Sequence, residues 1–192
     1  AAVARHCRAV GRNLRVLWLD AHADFNTHRL TPSGNLHGMP VACLCGHGPR
    51  ELISIADRVP ALDPKCVRQI GIRSVDAGEK RFVHQVGLEV FDMRFIDEMG
   101  LRHTMELALS LLDRDAHLHV SFDVDFLDPE IAPGVGTPVR GGLTYREAHL
   151  ALELVAESAL AGALEVVEVN PILDRENTTA LTAVELVASA LG

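Results

Sequence analysis

The sequence predicts a three-layer α/β/α fold built on a mainly parallel sheet, and three observations predict it. Short apolar runs alternate with amphipathic helical patterns along the chain. The runs are apolar throughout rather than alternating, as strands covered on both faces are. Two of them end in carboxylates and lead into long segments rich in Gly, Pro, Asn and Thr; in open α/β sheets the strand ends of that kind bind ligands. The 192 residues, 48% hydrophobic and 23% charged, suffice for a core of their own, and the reading takes 1–192 as a single domain.

Taken in order, residues 1–11 read as a helix. No Ser, Thr, Asp or Asn precedes it to cap its free N–H groups, and the chain does not open with Met. The expectation is a helix cut off from its beginning, hence an N-terminally truncated fragment. Strands are expected at 15–20, 66–72, 88–93, 117–123 and 164–170. Helices are expected near 76–86, 94–114, 143–160 and 176–191. Segments 25–40 and 126–142 resist this rhythm; loops of that length inside a compact domain are usually functional or disordered.

Composition excludes several function classes. The net charge of −8 comes from 26 scattered acidic residues, which argues against a nucleic-acid partner. No run approaches the ~18 apolar residues of a membrane span, and no export signal opens the sequence. Cys7, Cys43, Cys45 and Cys66 are too few for a disulfide framework. Cys43 and Cys45 lie in an apolar stretch and read as small buried hydrophobes rather than a thiolate metal pair. A reducing cytoplasm is the expected home.

Four constellations carry chemistry. Asp20-Ala21-His22-Ala23-Asp24 closes the first strand, and alternate residues of an extended segment point the same way. Asp20, His22 and Asp24 are therefore expected to converge, and their carboxylates would repel unless a cation sat between them. Ser121-Phe122-Asp123-Val124-Asp125 closes another apolar strand with a second carboxylate pair at spacing two. Together, four carboxylates and an imidazole at strand ends suit a hard divalent ion, with Mn²⁺ fitting the mixed set. They suffice for two ions bridged by shared carboxylates and a nucleophilic bridging water, so hydrolysis is the default chemistry.

The third constellation is Ser33-Gly34-Asn35-Leu36-His37-Gly38, where Ser33 and Asn35 offer hydrogen bonds and His37 can shuttle a proton. The fourth is Glu165-Val166-Val167-Glu168-Val169-Asn170-Pro171. Glu168, near the end of a Val-rich strand, could face a cationic substrate or serve as an edge-strand charge; spacing alone supports either. His117 and His119 alternate along a strand and are expected to be packing or surface residues.

On these residues the sequence resembles the ureohydrolase family, and arginase most closely. The signatures are residues 20–24, 121–125 and Gly141-Gly142-Leu143-Thr144-Tyr145-Arg146-Glu147. Segments 33–38 and 168–171 resemble arginase rather than agmatinase. The resemblance implies an arginase/deacetylase-like fold, a di-manganese centre, and hydrolysis of the guanidinium of L-arginine to ornithine and urea. Asp20 and Asp123 would bridge the metals; His22, Asp24 and Asp125 would be terminal ligands. Asp24 would also help protonate the leaving amine, His37 would transfer protons, and Glu168 would hold the guanidinium.

Asn26, Ser33 and Asn35 would read the α-carboxylate, Asp76 and Glu79 the α-amino end, and Thr137 would line the pocket. Ser74 stands where some relatives carry Asp. The family's Gly-Gly-Asp-His motif, whose His completes one metal site, is implied to lie upstream of the opening helix and is absent from this sequence. The same resemblance implies a homo-oligomer, trimer or hexamer. The alternatives weighed are another amidinohydrolase (agmatinase or guanidinobutyrase type) and an inactive metal-binding fragment.

Overall fold

A computed structural model describes residues 1–110 and 115–192. Five strands, β1 (Leu14–Leu19), β2 (Val67–Ile72), β3 (Glu89–Asp92), β4 (His117–Asp123) and β5 (Ala161–Val167), form one parallel sheet in the order β3-β2-β1-β4-β5. The helices are α1 (Ala2–Ala9), α2 (Pro40–Leu44), α3 (Arg50–Ile53), α4 (Ala77–Val86), α5 (Met93–Met99), α6 (Leu101–Ser110), α7 (Tyr145–Glu157) and α8 (Thr178–Leu191). They flank the sheet on both faces, the three-layer architecture that the apolar runs predict.

Strand alternation sorts the core into two halves. Leu17, Leu19, Leu118, Val120 and Phe122 pack with Ile96, Met105, Leu152, Val155 and Leu186 of α5 to α8. Val16, Trp18, Val67 and Ile72 pack with Ala4, Val41, Ala42 and Phe82 of α1, α2 and α4. Ile70 and Ile72 should share a face at spacing two, yet they lie in opposite halves. The register with β3 slips between them, at Gly71, whose φ is 89°. A Cβ there would meet the Phe126 ring at 2.5 Å, so only glycine lets Phe126 seat against this bulge.

Strand order decides where a cleft can form. The chain runs outward from β1 through β2 to β3, then crosses to β4 on the other side of β1. After β1 it leaves toward the face of α2 and α4; after β4 it leaves toward the face of α7. The carboxyl ends of β1 and β4 are thus the switch point, where ligands bind in such sheets.

Several expectations are corrected. The helix expected at 94–114 is two helices, broken at Gly100 with φ 83°; residues 111–114 lie outside the described residues. The last strand starts and stops three residues earlier than expected. Its ladder follows β4, pairing Leu118 with Ala161 and Asp123 with Val167, and Glu168 then turns to φ 63°, a conformation that strands do not hold. The apolar stretch 40–45 is mostly the short helix α2, with Pro40 in its first turn, too brief for a helical period to show. Cys45 within it is buried and Cys43 half-buried, and all four cysteines are free; burial pushes the Cys45 thiol up to about 12. The opening helix α1 has no side-chain cap. His117 is buried, its ring lying against Gly162, and His119 pairs with Glu165 at 3.3 Å.

Candidate metal centre

The site grows from the last residues of β1 and β4. Asp20 follows β1 directly and is 1% exposed. Trp18 lies two residues earlier on the same side of the strand and donates its indole N–H to Asp20 Oδ2 at 2.8 Å. The backbone then bends, and the His22 N–H donates to Asp20 Oδ1 at 2.6 Å. Asp123 ends β4 and accepts the Asp125 N–H at 2.8 Å as the chain enters a short 3-10 turn. That turn aims Asp125 back at β1. Its Oδ1 accepts the Ala21 N–H at 3.0 Å, and its Oδ2 lies 2.9 Å from His22 Nδ1.

Asp20, His22 and Asp125 are thereby brought together, each offering a ligand atom within 4.8 Å of the others. Asp24 and Asp123 stand outside that trio, close enough for their charges to act on it. The expected route for Asp24, alternation along an extended segment, is not the one taken. Its φ is 51°, so a left-handed turn rather than strand pleating sets its direction, and its carbonyl accepts the first N–H groups of α2, from Val41 and Ala42.

The electrostatics test whether this set fits a cation. Burial, with the neighbouring Asp20 and Asp125 charges, pushes Asp123 up to about 10. Burial also lifts Asp20 to about 6 and holds Asp24 well above the carboxylate range, with Asp20 adding to it. Burial alone would lower the pKa of His22, but hydrogen bonds to Asp125 and Asp20 outweigh it and raise it to about 10. Burial likewise works against Asp125, which His22 nevertheless holds below its ordinary value. Without a metal ion Asp123 and Asp24 favour their protonated forms, while Asp125 keeps its charge against a protonated His22. A divalent ion would satisfy the carboxylates as anions, and a set of carboxylate oxygens with one imidazole nitrogen suits Mn²⁺ or a similarly hard ion. The residues fit the group.

The remaining predicted residues lie on the segments that follow β1, β2, β4 and β5. Asn26 is buried and donates to Asp76 Oδ2 at 3.0 Å, while its Oδ1 has no partner. Glu79 is 4% exposed; its carboxylate accepts the Phe25 N–H at 2.8 Å and the Asp76 N–H at 3.2 Å, which ties the loop after β1 to the start of α4. Ser33, Asn35 and His37 are exposed, with the Asn35 N–H donating to Ser33 Oγ at 3.2 Å. Glu168 is exposed, and a Cβ built on Gly136 would lie 3.6 Å from its Oε2. That places Glu168 beside the loop carrying Thr137, which is half-buried.

Two residues at the site escape sequence reasoning. Trp18 is signalled only by its spacing of two from Asp20, which an apolar strand hides. Arg73, just past β2, spreads its guanidinium over the backbone of the Asp125 turn; an arginine after a buried strand is its one signal.

A model of the Arginase family matches residues 1–192. The chain is 47% identical to the arginase of Bacillus caldovelox over 193 residues, covering 100% of this chain and 63% of that one. It is 48% identical to the arginase of Brucella melitensis, covering 99% and 62%. The native structure of Bacillus caldovelox arginase at pH 5.6 superimposes with a TM-score of 0.93, over 99% of this chain and 62% of that one. This chain therefore belongs to the Arginase family, as the motifs at 20–24, 121–125 and 141–147 indicate. It spans a little under two thirds of the length of these curated relatives.

Proposed function

We propose that this chain carries the catalytic strand ends of a manganese-dependent hydrolase that converts L-arginine to L-ornithine and urea. The observation that carries the reading is the convergence of Asp20, His22 and Asp125 at the switch point of a sheet whose family relatives are arginases. Asp20 and Asp123 would bridge two Mn²⁺ ions, and His22, Asp24 and Asp125 would complete the protein's share of the ligands. When bound, such a pair supplies Lewis acidity and a water that ionises near neutral pH.

The chain's own residues do the rest. Glu168 would hold the guanidinium by charge beside the 134–137 loop, with Thr137 closing that side. Ser33, Asn35 and Asn26 would fix the α-carboxylate, and Asp76 the α-amino group. Because the Glu79 carboxylate is engaged by two backbone N–H groups, its part in amino-group reading would be to hold Asp76 in place. Asp24 would pass a proton to the leaving amine. His37, which is exposed, would exchange protons with solvent.

A cytoplasmic homo-oligomer of three or six subunits completes the reading. Substrate profiling of the protein with Mn²⁺ tests it: urea is expected from L-arginine. Urea from agmatine or guanidinobutyrate but not from arginine would reassign the substrate to a sister amidinohydrolase.

A further inference from the structure

We propose that Arg73 is a positioning residue for the metal centre, holding the Asp125 turn in register with the end of β1. The inference rests on the metal-centre reading above and deepens it.

Arg73 Nη2 donates to the carbonyls of Asp125 at 2.7 Å, Val139 at 2.8 Å and Leu127 at 3.2 Å. Nη1 reaches the carbonyls of Phe126 and Gly71, both at 3.3 Å, and Nε reaches Val139 at 3.3 Å. One side chain thus gathers the turn after β4, the loop at 139 and the bulge in β2. Its own backbone N–H donates to Ala21 O at 2.8 Å, which adds the segment after β1. Asp125 stands at the centre of this arrangement: its carbonyl is held by Arg73, and its carboxylate holds the Ala21 N–H and the His22 ring.

The chemistry of the donor explains why arginine stands there. A half-buried cation with no carboxylate at ion-pair distance among the described residues is costly to desolvate. It persists because five carbonyl dipoles solvate it and the charges of Asp125, Asp128, Asp20 and Asp123 act on it through space. Only a planar guanidinium presents five N–H donors in a fixed fork; a lysine offers three on a compact ammonium. A structural staple would need the bonds alone. A positioning role needs the fork to set where Asp125 sits relative to His22.

Three preparations decide it: the unaltered chain, Arg73→Lys and Arg73→Met. Each is titrated with Mn²⁺ well below its own melting temperature, and hydrogen exchange is measured at the Ala21 and Asp125 amides without metal. The expected result is a roughly 10–100-fold weaker Mn²⁺ affinity in both variants, the size of effect seen when groups that orient metal ligands are removed. Exchange at Ala21 and Asp125 should quicken while the β1 and β2 amides stay protected. A lower melting temperature with unchanged affinity and unchanged local exchange would reduce Arg73 to a staple and overturn the proposal. Full recovery by Arg73→Lys would overturn it too, since charge rather than the fork would then be enough. If the unaltered chain binds no Mn²⁺, the functional reading fails, and the exchange at Ala21 and Asp125 still decides the role of Arg73.

Discussion

The carboxyl ends of β1 and β4 and the 31–37 segment further along the chain from β1 are built differently. At the strand ends Asp20 is held by the Trp18 indole and the His22 N–H, and Asp125 by the Ala21 N–H and the His22 ring. In the loop, Ser33 Oγ meets Thr31 Oγ1 and the Asn35 N–H, which are its own neighbours, and Ser33, Asn35 and His37 are exposed. One region is fixed by partners up to 104 residues away, the other by contacts two or three residues apart. The proposed ligand set is therefore held by the sheet, whereas Ser33 and Asn35, among the residues proposed to read the substrate, are held by their own neighbours. Preorganised ligands bind a metal without paying for reordering.

Breaking the strand-end region should have the largest effect. Asp123→Ala removes a proposed bridging carboxylate, and Mn²⁺ affinity should fall by more than about 100-fold, beyond the 10–100-fold typical of outer partners. Calorimetric titration checks this; near-normal Mn²⁺ binding would sink the bridging assignment.

An intermediate effect should come from pH, acting chiefly through the strand ends. In the metal-free chain Asp20 at about 6, Asp123 at about 10 and His22 at about 10 all lie above their unfolded values of about 3.9 for Asp and 6.5 for His. The folded state thus binds more protons than the unfolded one. The stability these protons contribute is complete below the unfolded values and is lost as pH rises through the folded ones. Between pH 5 and 9 the melting temperature of the metal-free chain should fall by several degrees, at roughly 2–4 °C per kcal/mol for a chain of this size. Saturating Mn²⁺ should flatten that slope, and a melting temperature that rises with pH would contradict the assignment.

The smallest effect on the fold should come from the loop. Ser33→Ala and Asn35→Ala remove exposed side chains, so stability should change by no more than about 0.5 kcal/mol and Mn²⁺ affinity should not move. KM for arginine should rise instead. A loss of metal affinity in either variant would show that loop and strand ends are coupled, and that the contrast drawn above is false.

Much of this was legible from residues alone, for a local reason. Asp20, His22, Asp123 and Asp125 stand at spacing two beside apolar runs, which marks two strand ends rich in ligand atoms. A bend after Asp20 and a 3-10 turn after Asp123, not strand pleating, set where His22 and Asp125 point. A strand's two-residue period also failed for Asp24, because a left-handed φ is a backbone choice that no spacing reveals, and for Ile70 and Ile72, because the bulge at Gly71 resets the period. Gly100 broke a helix whose apolar pattern runs on across it. Glu168 was placed inside a strand that pairing with β4 ends at Val167.

The amino-acid sequence by itself determined the alternation of strand and helix, the carboxylates at two strand ends and the family to which the chain belongs, since all are properties of neighbouring residues. Only the tertiary structure decided that β4 lies beside β1, that Asp125 reaches His22 across the switch point, and that Trp18 and Arg73 belong to the site. Those facts depend on which strands pair and on contacts between residues far apart in the chain. Such contacts form because burying both faces of the sheet rewards one strand order over the others, and no short stretch of sequence carries that comparison.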